Sequence, residues 1–367
     1  MSKKEHTPLS ASRIKVAQGC SWLYWTKYKL KLPELGNDGA RRGTICHLIL
    51  EVLGPKKRRE YLKKIKKTQD IFSVPSIERL VMIYARRLGV TDDDNIELIK
   101  EMTFNGLSYD FLGHLTGRPT EAFDEQAFDI TVNDDKHQFR VRGFIDKLFL
   151  YKGKKFALIR DFKTSKSVFA PKEVSDNLQD LMYSFAVSYL FPEYENTQSE
   201  FLFLKFDLDA KKTNTFIEEQ LFDGDKLLAT FGKSHIESGV VRMAPLSKEE
   251  LEGFKHELTS IQKFIDGFSE KTARSNFAAR QNFPTDGTFS GRLLCGFAKK
   301  KGELKLDGNP KWHCPMRFEF WYIHVLDKDG KFVSSCFEDA FKESMVPKGG
   351  SYELKYYEGC PAHQYSR

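Results

Sequence analysis

The sequence predicts an α/β protein with a mixed central sheet. Three segments, 122–132, 138–151 and 156–162, alternate apolar and polar residues or run apolar, which is typical of strands. An apolar stripe with helical spacing follows at 175–191, and the apolar run 201–208 predicts a further strand. The order helix, three strands, helix, strand therefore occupies the middle of the chain.

The flanking regions predict further elements in chain order. Residues 10–30 are predicted to be helical, with Ser10 or Ser12 as the N-cap, and a second helix over 40–53 ends at Gly54 and Pro55. The pattern then stays mostly helical to about residue 115. Later predictions are a charged helix at 246–269, a hairpin from 318–325 and 331–337, and a strand at 352–357.

These elements group into four predicted segments. They are N-terminal helices (1–53), a helical insert (54–120), a core (121–270) and a C-terminal segment containing most of the cysteines (271–367).

Composition limits the classes of protein. The chain has 367 residues with a net charge of +7, and such an excess fits a nucleic-acid partner without requiring one. It has no apolar run long enough to span a membrane, and the polar start MSKKEHTPLS does not resemble a signal peptide. We therefore expect an intracellular (cytoplasmic) protein, in which the six cysteines do not form disulfides.

The central chemical signal is Asp146 on one predicted strand, followed by Asp161 and Lys163 at the end of the next. Residues i and i+2 of a strand share a face, so Asp161 and Lys163 point the same way, and a hairpin partner can bring Asp146 beside them. Two carboxylates suit Mg²⁺ or Mn²⁺, and the ammonium suits a phosphate. Alone, this pattern is also that of a surface salt bridge.

Two helical pairs accompany this signal. His47 and Glu51 share a helix face, and so do Gln179 and Tyr183. Imidazole is a ligand for Mn²⁺-class metals or a proton shuttle, whereas an amide and a phenol can bond phosphate or a base edge. Each pair alone also fits an ordinary amphipathic helix.

Together with the segment SASRIKVAQGCSWLYWTKYKL at 10–30, these motifs in this order resemble the RecB-like branch of the PD-(D/E)XK nucleases. That branch includes the RecB and AddB nuclease domains, exonuclease V and CRISPR-adaptation nucleases. The matching motifs run from Ser10 to Tyr24, Gly43 to Glu51, Gly143 to Asp146, Asp161 to Thr164 and Gln179 to Tyr183.

The resemblance implies a restriction-endonuclease-like core and a set of roles. His47, Asp146, Asp161 and the backbone carbonyl of Phe162 would bind the metal, with Lys163 and Glu51 in the catalytic group. Gln179 and Tyr183 would position DNA, and the helical insert 54–120 would resemble the region that covers the site and guides single strands in relatives. The implied activity is a DNA exonuclease acting from single-stranded ends in recombination, repair or phage DNA metabolism, with recombination or replication proteins as partners. The alternatives are a structure-specific or CRISPR-adaptation-like endonuclease, and a DNA-binding module with little cleavage.

Relatives in this branch often hold a [4Fe–4S] cluster between a cysteine of the first helix and three near the C-terminus. The preferred set here is Cys20, Cys295, Cys314 and Cys360, although the last three are unusually far apart in sequence. Cys336 lies in a predicted strand, and Cys46 is expected to pack in its helix. The alternatives are Zn²⁺, with His313 or His363 near Cys314 and Cys360, and buried free thiols.

A basic run follows the His47 helix. Such a run is by default a solvated helix face, but its position predicts contacts with DNA phosphates equally well. The lysines expected to bind DNA are Lys63, Lys64, Lys66 and Lys67.

Overall fold

The structure is a computed structural model that describes residues 6–34, 36–169, 173–174, 177–212, 214–223, 226–280, 292–296, 298–306, 308 and 310–364. The chain divides into two compact units. The central unit is Gly36–Leu258, and the terminal unit combines Met1–Leu35 with Thr259–Arg367.

The helices are α1 (Ala11–Gly19), α2 (Ser21–Tyr24), α3 (Asp38–Leu53), α4 (Arg59–Thr68), α5 (Pro75–Leu88), α6 (Asp93–Ser108), α7 (Leu178–Leu190), α8 (Lys248–Asp266), α9 (Glu270–Ala273), α10 (Arg292–Cys295) and α11 (Pro361–Gln364). The strands are β1 (Glu121–Asn133), β2 (Gln138–Tyr151), β3 (Phe156–Lys163), β4 (Asn196–Phe203), β5 (Thr215–Asp223), β6 (Lys226–His235), β7 (Val240–Arg242), β8 (Phe320–Leu326), β9 (Phe332–Phe337) and β10 (Ser351–Tyr357).

A five-stranded sheet forms the middle of the central unit, in the order β1-β2-β3-β4-β7. Strands β3 and β4 are parallel and the other neighbours antiparallel, which confirms the predicted mixed sheet. The sequence of β3, FALIRDFK, is buried along most of its length because neighbours cover it on both edges and both faces.

Helix α3 carries one of the predicted motifs to the end of β3. The Asn37 side chain caps it by accepting a hydrogen bond from Ala40 N at 2.8 Å. Ile45, Ile49 and Leu53 are fully buried on its inner face. A Cβ at Gly43 would lie 2.7 Å from Thr164 Oγ1, so any larger residue here would force the Thr164 side chain to move.

Helices α4, α5 and α6 complete the layer that packs on this face of the sheet. Their buried apolar residues join those of α3 and the sheet residues Phe162, Leu202 and Leu204 in one core. Helix α7 lies at the opposite face, where Tyr183 hydrogen-bonds Asp161. The predicted helical run to about residue 115 is thereby confirmed, and its packing against the sheet is a feature that the sequence did not predict.

Several boundaries differ from the prediction. The predicted strand 201–208 ends at Phe203, because Phe206 N donates to Phe203 O and turns the chain. Strands β5, β6 and β7 follow in a region that gave no clear strand signal. The predicted helix 175–191 is observed from Leu178, and residues 175 and 176 lie outside the described residues.

The terminal unit contains a three-stranded sheet in the order β10-β8-β9, which includes the predicted β8–β9 hairpin. The predicted continuous helix 10–30 is interrupted at Cys20, whose backbone is extended at φ −159° and ψ 112°. A short helix and a π-helical turn, Trp25–Lys29, follow this break. None of the helices in the described parts of the chain is long and apolar enough to cross a bilayer.

Candidate metal centre and active site

His47, Glu125 and Asp146 converge where α3 meets the strands. One ligand atom of each lies within 4.8 Å of the other two. His47 Nδ1 is 3.3 Å from Asp146 Oδ2, and Phe162 N donates to the same oxygen at 2.7 Å. The backbone of one strand therefore orients the carboxylate of its neighbour toward the imidazole.

The motif-based prediction missed Glu125, whose placement depends on the pairing of β1 with β2. In the β1–β2 ladder Asp124 opposes Lys147 and Gln126 opposes Ile145, so the register is unbroken and places Glu125 opposite Asp146. The φ of Glu125 is +50°, a conformation that a residue with a side chain rarely adopts. Such strain commonly occurs at functional sites. The only sequence signal was the acidic pair Asp124-Glu125, which interrupts the alternation of the strand.

Asp161 and Lys163 point to one side of β3, as predicted, and α7 adds Gln179 and Tyr183 to them. Asp161 Oδ1 accepts hydrogen bonds from Gln179 Nε2 at 2.7 Å and Tyr183 Oη at 3.1 Å. Gln179 Oε1 accepts from Lys163 Nζ at 2.6 Å. The buried Oδ2 of Asp161 has the Lys163 ammonium 2.7 Å away but no hydrogen bond of regular geometry.

The acidic side chains at this site lie close together, and their mutual repulsion shifts several pKa values. Burial, together with the charge of Asp146, raises the pKa of Glu125 from 4.5 to about 7. Burial also raises the pKa of Asp161, which the Lys163 ammonium opposes. Burial alone would lower the pKa of His47, but the hydrogen bond and charge of Asp146 raise it to about 9. The raised pKa values of Glu125 and His47 favour their protonated forms, and a bound cation would offset the same negative charge.

These residues fit a hard divalent cation. Carboxylate oxygens and one imidazole match Mg²⁺ or Mn²⁺, and the incompletely bonded Asp161 Oδ2 is a further oxygen available to the site. Asp161 interacts electrostatically with both His47 and Asp146 although it is not in the closest group. Glu51 lies one turn beyond His47 and lines an adjoining cavity with Glu125.

A cleft of about 1010 Å³ opens onto these residues. Its lining includes His47, Asp146, Asp161 and Lys163 of the predicted set, together with Phe162, Gln179 and Tyr183. Three further cations line it, Arg42, Lys166 and Lys205, which the motifs did not single out. Their only signal was the presence of isolated basic residues beside the motifs, including one in the apolar run FLFLKFDL.

The predicted DNA-binding lysines lie on α4, whose buried residues are Leu62 and Ile65. Lys63 is exposed and forms an ion pair with Glu60 at 2.7 Å. The residues of this run are not among those that line the cleft. Their role in DNA binding therefore stays a prediction about an outer surface.

Four cysteines come together within the terminal unit. Burial raises the pKa of Cys314 to about 11 and that of Cys360 to about 12, and in both the nearby Cys20 and Cys295 sulfurs add to the rise. Cys314 N also donates to Cys295 O at 3.1 Å. These are the four residues of the preferred ligand set.

The remaining cysteines lie elsewhere. Cys46 is buried in the core formed by α3 to α6, and its Sγ contacts Ile99 O. Cys336 lies in β9 opposite Ile323, and burial raises its pKa, with an added rise from the charge of Asp339 rather than from another cysteine. His313 Nδ1 lies 3.1 Å from Cys314 O.

Comparison with known proteins gives one family. The model of the PD-(D/E)XK nuclease superfamily matches residues 8–296, which is well over half of the chain. No curated protein matches the sequence.

Proposed function

Because this chain belongs to the PD-(D/E)XK nuclease superfamily, whose members cleave nucleic acid with divalent metal ions, we propose that it is a DNA exonuclease acting from single-stranded ends. The observation that carries the proposal is the convergence of His47, Glu125 and Asp146 at a cleft that also contains Asp161 and Lys163. A protein that only bound DNA would have no use for buried acids held so close together.

His47, Asp146 and Asp161 would hold Mg²⁺ or Mn²⁺, with Glu125 as an additional ligand and the Phe162 carbonyl contributing as the resemblance implies. When bound, the metal supplies charge that polarises the phosphate and lowers the pKa of water. The hydrogen bond from Phe162 N fixes Asp146, and those from Gln179 and Tyr183 fix Asp161.

Lys163 would stabilise the negative charge that develops on the phosphate during hydrolysis. Its ammonium is held between Asp161 and Gln179 at 2.7 Å and 2.6 Å, so it is oriented before substrate arrives. Gln179 and Tyr183 would position the strand, and both line the cleft. Glu51, beside Glu125, would belong to the same acidic group.

End-labelled and circular DNA, each in single- and double-stranded form, distinguish the proposed activity from its alternatives. We expect metal-dependent release of nucleotides from linear single strands, full inhibition by a chelator and no cleavage of circles. Cleavage of circular DNA or of branched structures would instead identify an endonuclease. Binding without cleavage under every metal condition would identify a DNA-binding module.

We propose further that Cys20, Cys295, Cys314 and Cys360 hold a [4Fe–4S] cluster. Burial raises the pKa of Cys314 and Cys360, and the nearby sulfurs of Cys20 and Cys295 add to the rise in both, which supports a shared site of four thiolates. Zinc, with His313 or His363 near Cys314 and Cys360, is the alternative.

Anaerobically purified protein should therefore be brown and contain iron and sulfide. Cys20→Ala should lose the colour and part of the stability, because the cluster would link α1 to the C-terminal segment. Cys336→Ala is the matched control and should keep both. Stoichiometric zinc without iron would contradict the cluster.

The lysines of α4 are proposed to contact DNA phosphates outside the cleft. Replacing Lys63, Lys64, Lys66 and Lys67 by Ala should weaken binding to all sequences alike and flatten its salt dependence by ~0.7 per lost contact on single strands. An unchanged slope would make this run a solvated face.

A further inference from the structure

Three cations line the active-site cleft without belonging to the metal centre. Arg42 lies on α3, Lys166 lies in the segment after β3, and Lys205 lies just after β4. Lys163, the other lysine of the cleft, is already paired with Asp161. The three cations therefore need a separate physical explanation.

Their charges are not balanced by the protein. Within the described part of the chain, neither Lys166 nor Lys205 has a carboxylate partner. Burial lowers the pKa of Lys205, and the charges of Arg42 and Lys166 lower it further. Lys166 is exposed and Arg42 and Lys205 are half-buried, so an anion that joined the three cations would relieve their repulsion.

Arg42 is held in place by neutral contacts. Its Nη1 donates to Asn95 Oδ1, and Asn95 in turn donates to Asp92 Oδ2 at 2.5 Å. The Asp92 carboxylate accepts hydrogen bonds from Asn95 rather than from the guanidinium. These bonds lower the pKa of Asp92, and the charge of Arg42 lowers it further. The buried Nε of Arg42 has no hydrogen-bond partner among the described residues. A guanidinium that these contacts hold in place at the edge of the cleft is suited to a charge-assisted contact with an oxyanion.

The position of this cluster relates it to the metal centre. A helix rises ~1.5 Å per residue, so Arg42 lies roughly 7.5 Å from His47 along the axis of α3. Leu204 N donates to Lys163 O at 2.8 Å, which places Lys205 directly after the residue paired with the catalytic lysine. The N-terminus of α3, with its partial positive charge, also lines the cleft, together with Asp38, whose carboxylate pairs with Arg41.

We propose that Arg42, Lys166 and Lys205 bind one backbone phosphate of the nucleic-acid strand, next to the phosphate that is cleaved. The proposal rests on the nuclease function proposed above and assigns the strand a path from the metal centre toward the N-terminus of α3. A phosphodiester supplies the missing negative charge and accepts several hydrogen bonds at once. The site would hold the strand in register for cleavage.

Single methylphosphonate linkages, which remove the charge of one chosen phosphate, test the assignment. We expect neutralisation of one linkage beside the cleaved bond to lower kcat/KM of the wild-type protein by about tenfold, which is typical of a lost charged hydrogen bond. In Lys205→Gln the same linkage should have little further effect, because its partner is gone. Parallel profiles of wild type and variant would overturn the proposal.

Binding of unmodified single-stranded DNA, measured in the presence of a chelator, tests the proposed phosphate site independently of cleavage. Lys166→Gln and Lys205→Gln should each reduce the salt slope by ~0.7, and Lys205→Arg should retain most of the affinity. Lys212→Gln is the matched control, since this lysine pairs with Asp207 and lies outside the cleft lining. Unchanged slopes in the first two variants would overturn the site. A wild-type protein that binds but does not cleave would contradict only the proposed function.

The stability of Lys205→Met separates binding from a structural role. Removing a desolvated, repelled charge should leave the melting temperature unchanged or raise it, while DNA affinity falls. A lower melting temperature with unchanged affinity would make Lys205 a structural residue and contradict the proposal.

Discussion

Two clusters of charge lie on opposite faces of the same sheet, and they are built differently. Arg160 and Asp161 are consecutive in β3, so their side chains point to opposite sides. On one side Arg160 bonds Glu200 Oε2 with Nε at 2.8 Å and Asp110 O with Nη1 at 2.6 Å. On the other side Asp161 lies near Asp146, with Lys163 as its only ion-pair partner among the described residues.

The pKa shifts express this difference. Burial would raise the pKa of Glu200, but the charges of Arg160 and Arg242 hold it below its ordinary value. At the candidate metal centre the effect of burial prevails, and the pKa of both Glu125 and Asp161 is raised. Balanced buried charge indicates structure, whereas unbalanced buried charge indicates a site for something that the protein must bind.

Changing the cluster of Arg160, Glu200 and Arg242, in which buried charges are paired, should have the largest effect on stability. Arg160 and Glu200 are each 1% exposed, so Arg160→Met leaves a buried carboxylate without its main partner. We expect the free energy of unfolding to fall by about 3–5 kcal/mol, measured by urea denaturation. Arg242→Met should cost less, because the Arg242 side chain is 45% exposed. Equal small losses in both variants would contradict the comparison.

Changing the cluster of Asp161, Asp146 and Lys163, in which negative charge is in excess, should affect activity rather than stability. Asp161→Asn keeps the shape of the side chain but removes charge from the site, and cleavage should fall by ~10²–10³. The melting temperature should stay the same or rise, since the variant removes a buried carboxylate. Asp129→Asn, on a carboxylate bound by Arg140 away from the cleft, is the control. A folded Asp161→Asn protein with full metal-dependent cleavage would refute the proposed site.

Stabilisation by metal should depend on the cluster around Asp146 and not on the Arg160–Glu200 cluster. A ligand at 100 times its Kd stabilises the folded state by about 2.7 kcal/mol, so saturating Mg²⁺ or Mn²⁺ should raise the melting temperature of the wild-type protein. Asp146→Asn should abolish this increase, whereas Arg242→Met, less stable at the start, should retain it. An equal increase in Asp146→Asn would place the metal elsewhere.

The smallest expected effect is a difference in pH dependence. The folded-state pKa of Glu125, about 7 against an ordinary 4.5, favours its neutral form, so this residue's contribution to stability is lost as pH rises through that interval. Glu200, with a lowered pKa, contributes stability that is lost as pH falls. In metal-free protein, Glu125→Gln should therefore flatten the decline in unfolding free energy between about pH 5 and 7. An unchanged decline would show that Glu125 does not titrate as described.

The sequence by itself determined the sheet that carries the site and most of its chemistry. Alternation predicted β1 to β3, and the i, i+2 spacing placed Asp161 and Lys163 on one face of β3. Helical spacing paired Gln179 with Tyr183, and the structure shows the two bonded at 2.6 Å. These features follow from local geometry, which neighbouring residues set without help from the rest of the chain.

Only the tertiary structure decided which distant residues join them. Glu125 joins the candidate metal centre because the register of β1 against β2 places it opposite Asp146. Arg42, Lys166 and Lys205 come from three separate elements and share one cleft. Arg160 and Asp161, neighbours in sequence and both charged, acquire opposite roles because the strand separates their side chains and the packing partners on each face differ. Burial and pairing of charge depend on those partners, and a linear sequence does not contain them.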